Sequence, residues 1–287
     1  MKKPLIKLIA VSIITALTMA LTSCTYIANG SVIQDVDFQI SYQVGEETTT
    51  INSTLSLYKT FAPETTDRIE KLVKNGFYNN TALTLSKQQD YVIVGGYTYN
   101  ADYEVKPCSE GDLRGEFTYG GFQARNKLRP GALVMLRDFD DEVVDGEGVN
   151  SSKYLSAKGA FAIVLTDSNT VFSKDTFCIF GYIDDDSLAT LQEALIDNCA
   201  DEKGYYKMRY LGDRVDGNQT YANSFDYYFD SNNDYFKEVN GSKVPLKYSS
   251  KEDEDYPIYE VISSGKNLQD VITLPSTLFK VNKMTLK

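Results

Sequence analysis

Two periods in the spacing of apolar residues place most of this chain's elements. In residues 35–45, Val36, Phe38, Ile40 and Tyr42 alternate with polar neighbours, the pattern of a half-buried strand. Residues 53–96 read as strand, helix, strand, strand. Leu55 and Leu57 alternate with Thr54, Ser56 and Tyr58; then Ile69, Leu72 and Val73 share one helical face, which Phe77 continues at the exit. Pro63 suits a first helical turn, Glu64 and Asp67 lie near the positive end of the helix dipole, and Gly76 supplies a left-handed stop. Residues 92–94, before Gly95-Gly96, read as a buried strand, and 133–136 as a short strand after the Pro130-Gly131 turn. Residues 161–165 and 177–183 are the clearest strands of the second half. Ser187 is placed to cap a helix whose Leu188, Leu191, Leu195 and Ile196 share a face.

The first residues have a different pattern. Lys2, Lys3 and Lys7 precede an apolar run over 8–21 that is short for a membrane span, and Leu21-Thr22-Ser23-Cys24 follows. The tetrapeptide resembles a bacterial lipobox. That implies a signal peptide over 1–23, lipidation at Cys24 and a linker over 24–34. The domain would be exported, lipid-anchored to the cell membrane or outer membrane, and would face outside the cytoplasm. An ordinary secretory signal with an incidental cysteine is the alternative.

Composition then narrows the chemistry. The chain has no histidine, which removes Ser-His-Asp and Cys-His catalysis and the usual zinc sites; no metal and no cofactor is expected. Its net charge is −11, and loss of the three leader lysines takes the mature chain to −14. Such a surface disfavours nucleic acid and anionic lipid as general partners. Cys178 lies in an apolar strand pattern and reads as a buried thiol, whereas pairing of Cys108 with Cys199 stays open. Residues 138–148 are acidic without calcium-ligand spacing and read as a solvated loop. Residues 230–234 imitate the start of a calcium loop. Tyr235 and Gly241 stand where its glycine and closing glutamate belong, so a polar turn between aromatic strands over 225–229 and 235–239 is expected.

Several segments together resemble a cyclophilin-type peptidyl-prolyl cis-trans isomerase domain. Ala62-Pro63-Glu64-Thr65, Gly76-Phe77-Tyr78 and Gly95-Gly96 match its opening. Leu155-Ser156-Ala157-Lys158-Gly159-Ala160-Phe161-Ala162-Ile163 is similar to its "NSAGSQFFI" segment, and Phe177-Cys178-Ile179-Phe180-Gly181 to its "hVVFG" strand. The resemblance implies a mainly β fold: a closed antiparallel barrel capped by two helices. The barrel would run over 35–199, carry a Tyr- and Asp-rich insertion over 200–265, and regain the chain at 266–287, with 277–286 as its last strand.

The same resemblance sets the chemistry expected. Rotation about an X-Pro bond faces a barrier of about 20 kcal/mol from amide resonance. The family lowers it by seating the proline in an apolar groove and aiming donors at the twisted amide. Tyr91, Val92, Leu136, Phe161, Phe172 and Phe177 take the groove positions. The donor positions depart from the family. Its "FHR" arginine falls in Leu83-Thr84-Leu85 or Thr84-Leu85-Ser86; Val94 and Ala160 replace its two glutamines, and Ala162 its pocket phenylalanine. Phe177 replaces a histidine, and Phe172 falls near a pocket tryptophan. Lys87, Arg125 and Arg129 are the nearby cations, as substitutes or as surface charges. No catalytic residue is assigned.

Two functions follow as expectations. One is an anchored cyclophilin-like protein with weak or lost isomerase activity, acting on or binding proline-containing peptides or envelope proteins. The other is a non-catalytic binding module, using the old groove or the Tyr-rich insertion. Those tyrosines form either a recognition surface or the insertion's own core. The anchor is directly testable: Cys24→Ala should move the protein from the membrane fraction to the soluble one, and unchanged fractionation would refute lipidation.

Overall fold

The computed structural model describes residues 32–86, 89–99, 106–137, 157–167, 172–201, 203–210, 214–216, 219–221, 225–230, 235–247, 250, 252 and 271–287. The leader with Cys24, the linker up to residue 31, Lys87 and the acidic run over 138–148 lie outside them. In chain order the barrel elements are β1 (Ile33–Val44), β2 (Glu47–Tyr58), α1 (Pro63–Lys74), β3 (Thr81–Ser86) and β4 (Tyr91–Thr98). β5 (Ala132–Met135), β6 (Phe161–Val164), β7 (Ile179–Ile183) and α2 (Asp185–Asp197) follow. Next come β8 (Tyr206–Tyr210), β9 (Arg214–Asp216), β10 (Gln219–Tyr221), β11 (Phe225–Phe229), β12 (Tyr235–Val239) and β13 (Ser242–Pro245). β14 (Val271–Leu274) and β15 (Phe279–Leu286) end the order.

Eight antiparallel strands close on themselves in the order β3-β15-β1-β2-β7-β5-β6-β4, with β4 pairing back to β3. Closure removes free edges from this part of the sheet. The distant β15 makes it possible. Met284 stands opposite Phe38 on one side, and Phe279 opposite Leu83 on the other. Alternation then sorts side chains to two faces. Val36, Phe38, Ile40, Leu55, Leu57, Leu83, Leu85, Val92, Val94 and Phe180 fill the interior, closed by Ile69, Leu72 and Val73 of α1 and by Leu188, Leu191 and Leu195 of α2.

The segment after α2, expected as an insertion, continues the sheet. β3 divides its outer partners: Leu83 faces Phe279 of β15, while Leu85 and Ser86 face Thr273 and Ile272 of β14. From β14 the sheet runs on through β8, β11, β12 and β13, while β9 and β10 form a separate hairpin. The aromatic strands β11 and β12 pair Tyr228 with Phe236 and Phe229 with Tyr235. Met208, Tyr227, Phe229 and Leu246 make a small core there, on which Tyr206 and Tyr235 pack. The described rings of the insertion thus pack largely on one another.

The helix ends show how local sequence meets tertiary need. α2 is capped by Asp184 and not by Ser187: one Asp184 carboxylate oxygen accepts the Ser187 N–H at 2.8 Å, the other the Thr54 N–H of β2 at 3.0 Å. Asp184 wins because it satisfies a strand donor as well as the helix. Ile196, expected on the buried face, is 76% exposed. α1 begins at Pro63, and its N-cap Ala62 offers no side-chain acceptor. Glu116 supplies one from afar, accepting the Thr65 N–H at 2.7 Å and the Glu64 N–H at 3.1 Å. Gly76 ends the helix at φ +69°, where a side chain would be strained.

Burial pushes the Glu116 carboxyl up, only partly opposed by the amides of Thr65 and Glu64. Its folded pKa is therefore above the unfolded one. The stability linked to this group is complete below the ordinary glutamate range and falls as pH rises through the raised value. Wild type should lose ground to Glu116→Gln over that rise in urea titrations. Glu116→Ala should cost about 1–3 kcal/mol by leaving the α1 amides unmet; a neutral effect would refute the capping role.

Candidate functional site

Outside the barrel, β4, β6, β5 and β7 present a second apolar face. Tyr91 and Ile93 come from β4, Ala162 and Val164 from β6, Ala132 and Val134 from β5, and Ile179 from β7. Leu136, Phe172 and Phe177 cover it. The rings interlock: Tyr91 and Phe172 lie 4.7 Å apart centre to centre, and Phe172 meets Phe177 edge-on at 5.0 Å. Each such pair contributes about 0.5–1.5 kcal/mol beyond burial. Burial also pushes the Tyr91 hydroxyl far up, so it stays protonated.

Arg137 lies against this cluster. Its guanidinium carbon is 4.6 Å from the Phe177 ring centre and 5.2 Å from that of Phe117, and its Nε–H donates to the Thr176 carbonyl at 2.9 Å. The Phe117 segment is tied to the same wall, since Tyr119 N–H donates to the Asp175 carbonyl at 2.9 Å. Stacking of a desolvated cation on a ring contributes about 2 kcal/mol.

The family model for cyclophilin type peptidyl-prolyl cis-trans isomerase/CLD matches residues 45–203. The chain belongs to the cyclophilin-type peptidyl-prolyl cis-trans isomerase family. No curated protein matches it. Among solved structures it is similar to a cyclophilin-type isomerase of Cryptosporidium parvum, at 18% identity over 59% of this chain and 88% of that one, with a TM-score of 0.37. The Mimivirus cyclophilin is 14% identical over 57% of this chain and 80% of its own, also at a TM-score of 0.37.

Of the cyclophilin groove positions read from the sequence, Tyr91, Leu136, Phe172 and Phe177 meet on the outer face. Val92 and Phe161 instead belong to the barrel interior. All six are at most 4% exposed. Two supposed donor positions also change face: Leu85 and Val94 point into the interior. Thr84 stands opposite Ile93, a residue of the outer cluster, so the outward set on β3 is Ala82, Thr84 and Ser86. Ser86 is occupied: its hydroxyl donates to the Asp90 carboxylate at 2.5 Å and accepts the Asp90 N–H at 3.0 Å.

The nearby surface cations have other partners. Exposed Arg125 bonds Gln123 and lies over Phe61; exposed Arg129 stacks on Tyr182 at 4.5 Å and pairs with Asp185 at 3.4 Å. Arg137 was not singled out by motif matching. Its one sequence signal is its place directly after Leu136, a position expected in the groove.

Burial holds two of the three described cysteines as thiols. Cys108, Cys178 and Cys199 are free thiols. Burial pushes Cys178 and Cys199 up to about 12 each, far from the thiolate form. Among the described residues no three His, Cys, Asp or Glu side chains come together as a metal site.

The inward orientation of Leu85 generates a test. Leu85→Arg places a charge in the barrel core, not in the groove, and should destabilise the fold by about 3–5 kcal/mol, the cost of an unpaired buried charge. An unchanged thermal midpoint would show that residue 85 faces outward.

Proposed function

We propose that this chain is an exported, lipid-anchored cyclophilin that acts on or binds proline-containing peptides or envelope proteins, with isomerase activity weak or lost. The observation that carries the reading is the outer face itself. Its rings pack on each other, and the outward residues of β3 are Ala82, Thr84 and Ser86, with no cation among them. Prolyl isomerisation needs donors that bind the twisted amide better than the planar one. Loss of one positioned donor typically costs about 10²–10³ in rate. Ala160 and Ala162 withdraw a further donor and a pocket ring.

The same features favour a binding module as the second reading. An apolar face holds a proline ring by burial alone, at about 25 cal/mol per Å², while transition-state stabilisation is absent. The groove suits this role better than the insertion, because Tyr206 stacks on Phe229 at 4.9 Å and Tyr228 on Phe236 at 5.6 Å within the insertion's own packing.

The experiment is isomerisation of a proline peptide by the purified full chain beside a cyclophilin with intact donor positions. Turnover should be at least about 10²-fold lower, the loss expected from a missing donor. Comparable turnover would overturn the proposal.

A further inference from the structure

The aromatic end of the outer face is occupied by a side chain of the protein itself. Arg137 is 4% exposed, although it lies two residues past the end of β5 and carries a full charge. Its guanidinium is bracketed by Phe177 at 4.6 Å and Phe117 at 5.2 Å, and its Nε–H is held by the Thr176 carbonyl at 2.9 Å. The two segments that carry this bracket are laced together by backbone bonds, Tyr119 N–H to the Asp175 carbonyl at 2.9 Å and Thr118 N–H to the Lys174 carbonyl at 3.5 Å. Phe177 in turn packs with Phe172 in the outer cluster. A guanidinium is planar and stacks on ring faces through weakly hydrated surface. The ring of a bound proline needs the same kind of apolar, ring-lined space.

We propose that Arg137 is an internal plug, a positioning residue that closes the aromatic end of the outer face against proline-containing peptides. The proposal rests on the reading of this face as the groove of an enzyme with weakened chemistry. Its Nε–H is held by Thr176 and its side chain is buried, as a plug requires. Removing the guanidinium leaves the face of Phe177 uncovered, and the cost of displacing the plug no longer opposes binding.

The test compares wild type with Arg137→Ala and Arg137→Lys in NMR titrations with the tetrapeptide Ala-Ala-Pro-Phe, with isomerase turnover measured on the same samples. Arg137→Ala should bind at least about tenfold more tightly, or about 1.4 kcal/mol. Arg137→Lys keeps the charge but loses the planar stack and the Thr176 bond, so it should gain a smaller amount. In wild type the Arg137 Nε–H should exchange slowly with solvent. Folded variants that bind no more tightly overturn the plug, as does turnover that falls in Arg137→Ala, which would make Arg137 a donor. Fast exchange of the wild-type Nε–H overturns it even where both variants fail to fold. High wild-type turnover sinks the proposed loss of activity alone, because the affinity comparison still judges the plug.

Discussion

The buried ring of Tyr78 joins the parts of this barrel that sequence separates. Its hydroxyl donates to the Gly159 carbonyl at 2.8 Å, and its ring meets Phe161 edge-on at 5.5 Å and Phe77 at 5.1 Å. A Cβ on Gly95 would come within 2.6 Å of that ring, and Gly95 has φ +78°, so glycine is needed there twice over. The exit of α1, the glycine pair of β4 and the approach to β6 are thereby fixed to one another. Burial pushes the Tyr78 hydroxyl well up, so it remains the donor its place requires. β3 follows directly, and its position decides where β15 and β14 attach.

That contact also explains why the fold was legible in the sequence. Gly76-Phe77-Tyr78, Gly95-Gly96 and the Gly159-Ala160-Phe161 stretch are motifs because they meet around one ring, and packing of that kind tolerates little change. The helices were legible for a similar reason, with Pro63, Gly76 and the apolar stripe all local signals. The cap of α2 was not. Asp184 and Ser187 are both good capping residues, and only the Thr54 amide, 130 positions away, selects Asp184. Attachment of the insertion through β14 to the end of β3 was equally hidden, because pairing partners leave no trace in a single strand's alternation.

The site was legible only in part, and the reason is geometrical. Matching letters to a motif counts residues along a strand, whereas a groove depends on which face each residue takes. A one-residue difference exchanges the faces. Leu85 and Val94 therefore went to the interior, and Thr84 opposite Ile93 marks the outward row. The pairing of β3 with β4 shifts register between Ala82 and Thr84, opposite the segment that carries Gly95 and Gly96. Arg137 escaped motif matching because an arginine at a strand end is ordinarily a surface residue.

Under the proposed function, the buried arginine bears on the difference between holding a proline and turning it over. Desolvating a charge costs several kcal/mol, while one ring contact returns about 2. The cation is kept inside by the rest of its surroundings: two rings, the Thr176 carbonyl and the backbone lacing of 117–120 to 173–176. An isomerase groove spends its donors differently, leaving them fixed but unsatisfied until a twisting amide arrives, so that the gain falls on the transition state. Here several polar groups meet partners within the fold, Ser86 with Asp90, the Arg137 Nε–H with Thr176 and Asn126 with the Ile179 carbonyl at 2.6 Å, while the buried Thr84 hydroxyl meets none among the described residues. A donor already satisfied in the resting protein must break its bond to serve a substrate, which cancels much of what it would contribute. On the proposed reading, the same barrel keeps the packing motifs around Tyr78 while the balance on its outer face moves from catalysis to stability.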